Sequence, residues 1–136
     1  MKSNKFLSNL IVPLALIFPP LLLFASVTIG VKTIIPTENL VQFEPWKTAA
    51  ASFLIQAPQT PYNALLSDLV LENYAWKRFI NHAIETRQIP LWNPYLFAGT
   101  PFLGNGQHSI FYPFSIFFYL LPLAKAYGWF ILSQYS

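Results

Sequence analysis

The chain has 136 residues, of which 54% are hydrophobic, 18% aromatic and only 10% charged, with a net charge of +3. An ordinary soluble domain is about 25% charged, so this composition points away from a surface made for water. The scattered Lys and Arg point away from a nucleic-acid groove, and the absence of cysteine excludes disulfides, thiolate metal sites and cysteine nucleophiles.

Lys5 and Lys32 bracket an uncharged run, Phe6 to Val31. About 20 apolar residues suffice for a helix to cross a bilayer, so residues 6–31 are predicted to be a transmembrane helix. Pro13, Pro19 and Pro20 lie inside it and are tolerated in a membrane helix, where they are expected to introduce kinks. A cleavable signal peptide would have an apolar core of about 7–15 residues and a small-x-small cleavage site. This run is longer, and Ala25-Ser26-Val27 is a poor site, so an uncleaved anchor is expected. Lys2 and Lys5 precede the span and only Lys32 follows closely, which by the positive-inside rule puts residues 1–5 in the cytoplasm and the loop 32–109 outside.

That loop opens with a polar segment punctuated by Pro45, Pro58 and Pro61, with Trp46 placed as an interface anchor and a turn or two of helix over Ala49 to Ile55. Ser67 to Gln88 is an amphipathic helix by its pattern: Leu69, Trp76, Phe79, Ile80, Ala83 and Ile84 are apolar, while Glu72, Lys77, Arg78, Asn81, His82 and Glu85 fill the other faces. Ser67 or Asp68 is placed to cap its start, and Pro90 to end it. The density of Gly and Pro from Pro90 to Gly106 predicts an ordered, turn-rich loop. Residues 110–123 form a second apolar run, too short to span and read as an interfacial or re-entrant helix. Residues 124–136 read as the start of a second transmembrane helix, cut short by the end of the chain. The expected class is an all-α membrane protein, the N-terminal fragment of a larger one.

The segment Asn63 to Trp129 resembles the bacterial YfhO-like membrane protein family. The likeness rests on Leu66-Ser67-Asp68-Leu69-Val70 with Tyr74 and Trp76, then Pro90-Leu91-Trp92-Asn93-Pro94-Tyr95-Leu96-Phe97 and Gly99-Thr100-Pro101-Phe102-Leu103. It continues through Asn105 and Gln107 to Phe111-Tyr112-Pro113. These motifs stand in unbroken order over about half the chain. The resemblance implies a large, many-spanning protein similar to C-type glycosyltransferases. Such enzymes take a sugar from a polyprenyl-phosphate carrier and add it to a glycan or protein outside the membrane. It implies location in the bacterial inner (plasma) membrane and a catalytic acid residue in the first external loop. This fragment alone is expected to be inactive.

Asp68 is the only aspartate in the chain. The resemblance places it as the catalytic base that takes the proton of an acceptor hydroxyl; read from its position alone, it caps a helix. Glu72 lies four residues on, where two carboxylates on one helical face serve a divalent metal or a second proton transfer, or simply face solvent. Asn105, Gln107 and His108 form a polar cluster suited to hydrogen-bonding a sugar or phosphate, or to shaping their own loop. Trp92 and Tyr95 are suited to stacking on a sugar ring or to anchoring at an interface. His82 stands too far along the helix to join Asp68 and reads as a surface histidine. The resemblance implies a polyprenyl-phosphate-linked sugar as donor substrate and settles no cofactor, with a divalent metal left open. The alternative is a non-catalytic membrane protein whose external loop binds a glycan or partner helices.

Overall fold

The computed structural model describes residues 4–53 and 63–135 of the chain. Residues 1–3, the prolines Pro58 and Pro61, and Ser136 lie outside the described residues. The chain is mostly helical, with one short strand pair that the all-α expectation did not include. It divides into two compact units, residues 1–34 with 113–136, and residues 35–112.

The first unit is built on α1 (Asn4–Thr28), which is continuous through Pro13, Pro19 and Pro20. Its stretch Ile11–Thr28 is, among the described residues, the one helix long and apolar enough to cross a membrane. Leu14, Leu16, Phe18, Leu22 and Leu23 on it are exposed. A helix leaves its last carbonyls without intrahelical partners, and here a second element supplies donors just beyond that end. Lys125 on α5 (Leu123–Tyr135) gives its ammonium to the backbone oxygens of Gly30 and Lys32. A cation at this pole also opposes the helix dipole. Thr33 Oγ1 donates to the Ala124 oxygen at 2.9 Å, a second tie between the same two segments.

α5 packs along α1 through small residues. Ala126 is fully buried and Gly128 is buried. A Cβ on Gly128 would sit 2.9 Å from the Val27 backbone oxygen, so glycine is what lets the two backbones approach. Close approach over small residues is a recurrent device for packing apolar helices. The predicted helix over 110–123 is shorter than expected: only a 3-10 turn at Pro113–Ser115 and α4 (Ile116–Leu120) are helical. Leu121 is extended (φ −118°, ψ 153°), and Pro122 follows, so α4 stops before α5 begins. Phe118 fills the space between the two helices, edge-on to Tyr127 at 4.8 Å and near Phe130 at 5.1 Å.

The second unit begins with a 3-10 segment at Thr37–Gln42 and α2 (Trp46–Ser52). Glu44 accepts both the backbone N–H and the hydroxyl of Thr48, at 3.3 and 2.7 Å, and so serves α2's open first turn. Trp46 opens α2 and is partly exposed. Asn39 Nδ2 donates to the Asn63 oxygen at 3.1 Å, joining the 3-10 segment to the residues that lead into the long helix.

That long helix corrects the sequence expectation in three ways. It contains a π segment, Leu69–Asn73, before the regular α3 (Tyr74–Glu85). The Asp68 side chain makes no capping hydrogen bond. The helix also ends at Glu85 rather than at Gln88. Arg87 takes a left-handed φ of +56°, Arg87 N–H donates to Ile84 O at 3.0 Å, and Gln88 N–H donates to Ala83 O at 2.8 Å. This is the Schellman closure, made here with Arg where Gly is usual. The apolar period holds within α3: Trp76, Ile80 and Ala83 are buried and form the unit's core with Val70 and Phe102.

After α3, β1 (Trp92–Asn93) pairs antiparallel with β2 (Thr100–Pro101), in register Trp92 with Pro101 and Asn93 with Thr100. The connecting turn closes with Gly99 N–H donating to Leu96 O at 2.7 Å. Phe97 and Ala98, its two central residues, have φ of +49° and +60°. The connection between the strands is six residues long, Pro94 to Gly99, and these two left-handed residues reverse the chain within it.

Candidate functional site

Two adjoining grooves in the second unit gather several of its polar side chains. Both run between α3 and the hairpin and share Ala75 and Leu96 in their walls. The first, about 450 Å³, is lined by Glu72, Thr100, Asn105 and Gln107, with Phe97 and Phe102 among its apolar walls. The second, about 490 Å³, is lined by Arg78, Phe79, His82, Glu85, Asn93 and Tyr95. Both volumes lie in the range of small-molecule sites, about 300–1,000 Å³.

The structure brings together three of the residues singled out from sequence: Glu72, Asn105 and Gln107 share the first groove. Glu72 comes from the π segment. Such wide turns are rare and occur often at functional sites. They also alter the spacing argument. With N–H groups bonded five residues back, as Tyr74 is to Leu69, the turn after Asp68 is wider than the α-helical one that would stack Glu72 directly over it. Asn105 is partly committed, since its Oδ1 accepts the Gln107 N–H at 3.2 Å and caps the 3-10 turn Gly106–His108. Gln107 is exposed.

Asp68 is exposed early in the helical run, after the 3-10 turn Ala64–Leu66, and is not among the residues lining these two grooves. Trp92 is half exposed. Gly99, at φ +114°, lies so close that an added Cβ would be 2.5 Å from the indole Nε1, so only glycine accommodates that contact. Among the described residues, no group of three His, Asp or Glu side chains gathers to hold a metal ion.

His108 does not face a ligand. It is 2% exposed, and its ring stacks on Phe102 at 4.4 Å. Its Nδ1 accepts the Ile110 N–H at 3.1 Å, so that nitrogen is unprotonated. The proton therefore sits on Nε2, which donates to the Phe102 oxygen at 2.8 Å. With both ring nitrogens in use, this imidazole fixes the loop and is not available to a sugar or phosphate.

Sequence patterning missed two features. Lys77, counted among the polar faces, is 2% exposed, and its Nζ donates to the His108 backbone oxygen at 2.6 Å. Burial pulls its ammonium down from 10.5 to about 8. The second is the Arg78–His82–Glu85 line on α3. Its spacing of four and then three residues is legible as one helical face, but nothing local says that a hairpin stands opposite.

No protein-family model, no curated protein and no solved structure matches this chain. The fold itself defines a mostly helical protein with one apolar N-terminal helix.

Proposed function

We propose that this chain contributes the first span and the first external domain of a membrane glycosyltransferase similar to the YfhO-like family. That enzyme moves a sugar from a polyprenyl-phosphate carrier to an extracytoplasmic glycan or protein. In this reading α1 is the bacterial inner-membrane anchor, the N-terminus is cytoplasmic and the unit 35–112 lies outside.

The observation that carries the reading is the state of Asp68. Asp68 lies inside the helical run, with helical φ −61° and ψ −28° after the 3-10 turn Ala64–Leu66, and its carboxylate is exposed and makes no cap bond. A general base needs such an unspent carboxylate within reach of the acceptor hydroxyl. One turn further on, Glu72 with Asn105 and Gln107 offers acceptors and amide donors for the hydroxyls of a bound glycan. The experiment is complementation of a strain lacking the full-length gene with an Asp68→Asn allele. Near-complete loss of glycan transfer at normal membrane abundance is expected; retained transfer would remove Asp68 from the chemistry.

The second reading, a non-catalytic loop that binds glycan, is favoured by one fact: the groove with Glu72, Asn105 and Gln107 does not include Asp68. On that reading Asp68→Asn leaves function intact, while Glu72→Gln weakens glycan binding.

A further inference from the structure

We propose that the groove between α3 and the hairpin is a binding site for a phosphorylated saccharide, with Arg78 and His82 holding the phosphate and Tyr95 and Glu85 the sugar. The inference rests on the glycosyl-transfer reading for the sugar and on the groove alone for the phosphate.

Arg78, His82 and Glu85 stand at successive turns of one face of α3, and all three are exposed into the same groove of about 490 Å³. Among the described residues, neither the Arg78 guanidinium nor the His82 imidazole forms a hydrogen bond or ion pair within the chain, so their donors are unspent. An Arg fork matches two phosphate oxygens at once, and a ring N–H one turn away adds a third donor to the same anion. Glu85 lies seven residues beyond Arg78, about 10 Å along the helix axis. Glu85 is only three residues, about 4.5 Å along the axis, from His82, so its charge drives the phosphate toward the Arg78 end of the groove and leaves the Glu85 carboxylate to accept sugar hydroxyls.

The opposite wall is preorganised. Asn93 is 3% exposed, and its Oδ1 is fixed by the Tyr95 N–H at 3.0 Å, which turns its amide nitrogen into a positioned donor. Phe79 stands edge-on to Tyr95 at 6.1 Å and to Phe102 at 4.9 Å, so the aromatic side of the groove is braced from the core. Tyr95 is exposed and presents a ring with a polar tip, a combination suited to the apolar face and the hydroxyls of a sugar. Arg, His, an amide, a carboxylate and an aromatic plate in one groove fit a phosphate joined to a polyol better than either part alone.

The test uses the full chain in phosphatidylcholine nanodiscs, titrated with glucose 1-phosphate by calorimetry. Parallel titrations use glucose and inorganic phosphate. Saturable binding of glucose 1-phosphate is expected, with weaker binding of inorganic phosphate and none of glucose. Arg78→Gln should weaken glucose 1-phosphate about ten- to a hundredfold, the usual loss of a charge-assisted hydrogen-bonding group. His82→Gln should weaken it less, and Tyr95→Ala should weaken glucose 1-phosphate while sparing inorganic phosphate. Arg78 and His82 are exposed, so circular dichroism should show unchanged helix in these variants. Adding a polyprenyl phosphate to the nanodisc separates the sources: competition assigns the site to a lipid-linked phosphate, and its absence to a soluble one. No saturable binding of glucose 1-phosphate, equal binding by Arg78→Gln, or equal binding of plain glucose would each overturn the proposal. Because the readout is binding, its failure is distinct from failure of Asp68→Asn to abolish transfer.

Discussion

Lys77 Nζ and the His108 backbone oxygen are joined by a 2.6 Å hydrogen bond in the core of the second unit, where each residue is 2% exposed. One ammonium thus locks α3 to the loop that carries Asn105 and Gln107. The His108 ring holds the same loop from within through Phe102 and Ile110.

This bond gives a pH signature. Burial lowers the folded-state pKa of Lys77 to about 8, against an ordinary 10.5. Between those values the unfolded chain keeps a proton on Lys77 that the folded chain has released, so folding stability rises with pH across that window and is flat in this term below it. Thermal unfolding of the full chain in mild detergent, followed at 222 nm from pH 7 to 10, should show the wild type gaining stability relative to Lys77→Met above pH 8. A constant difference over the whole range would show that Lys77 does not titrate low.

Left-handed backbone at residues with side chains is a second lever. Arg87 closes α3 at φ +56°, and Ala98 sits in the hairpin turn at φ +60°. An L-residue in this region costs about 1–2 kcal/mol, while glycine's extra freedom in the unfolded chain offsets part of the relief. Arg87→Gly and Ala98→Gly are each expected to stabilise the second unit by about 0.5–1 kcal/mol. Urea unfolding curves check this, and a loss of stability in either variant would mean that the side chain contributes more than its backbone costs.

These positions also mark the limit of what the sequence makes legible. Length and absence of charge are local properties, so the run from Phe6 to Val31 announces α1. The period that buries Trp76, Ile80 and Ala83 announces α3. Glu72, Asn105 and Gln107 stand out as polar groups in the loop, and the structure gathers them in one groove. Lys77 resembles any solvated lysine until a carbonyl thirty-one residues away meets it in the core. His108 resembles a loop ligand until Phe102 and Ile110 claim both ring nitrogens. The strand pair is two residues a side, and its connection turns through Phe97 and Ala98 in left-handed backbone, with none of the Asn or Gly that normally signals such a conformation there. Each of these depends on a partner distant in sequence or on a conformation its residue types disfavour.

The helix pair of the first unit is tested at Gly128. A methyl there would press on the Val27 backbone, with its oxygen at 2.9 Å and carbonyl carbon at 3.1 Å, and backbone cannot swing aside as a side chain can. Gly128→Ala is expected to push α5 from α1 and to destabilise the pair by about 1–3 kcal/mol, the usual cost of overpacking. Gly104→Ala is the control, since a Cβ there meets nothing within 4 Å. Cysteine pairs on α1 and α5, cross-linked in membranes, would report the separation; equal cross-linking in both variants would show that the approach at Gly128 is not limiting.

The sharpest separation of roles concerns Asp68. Loss of a helix cap costs about 1 kcal/mol when Asp is replaced by Ala. Because the Asp68 side chain makes no cap hydrogen bond and is exposed, Asp68→Ala is expected to change stability by less than about 0.5 kcal/mol, as for other surface substitutions. Asp68→Asn keeps size and shape and removes only the proton acceptor. Removing a general base commonly costs about 10²–10⁴-fold in rate. The catalytic role therefore requires two results together: both variants as stable as wild type in detergent unfolding, and both deficient in sugar transfer in the full-length protein. A stability loss near 1 kcal/mol in Asp68→Ala that Asp68→Asn avoids, with transfer preserved in Asp68→Asn, would return Asp68 to the helix start as a cap. Stable variants with full transfer would leave binding by Glu72, Asn105 and Gln107 as the function of this loop, and Glu72→Gln would then be the variant that loses glycan.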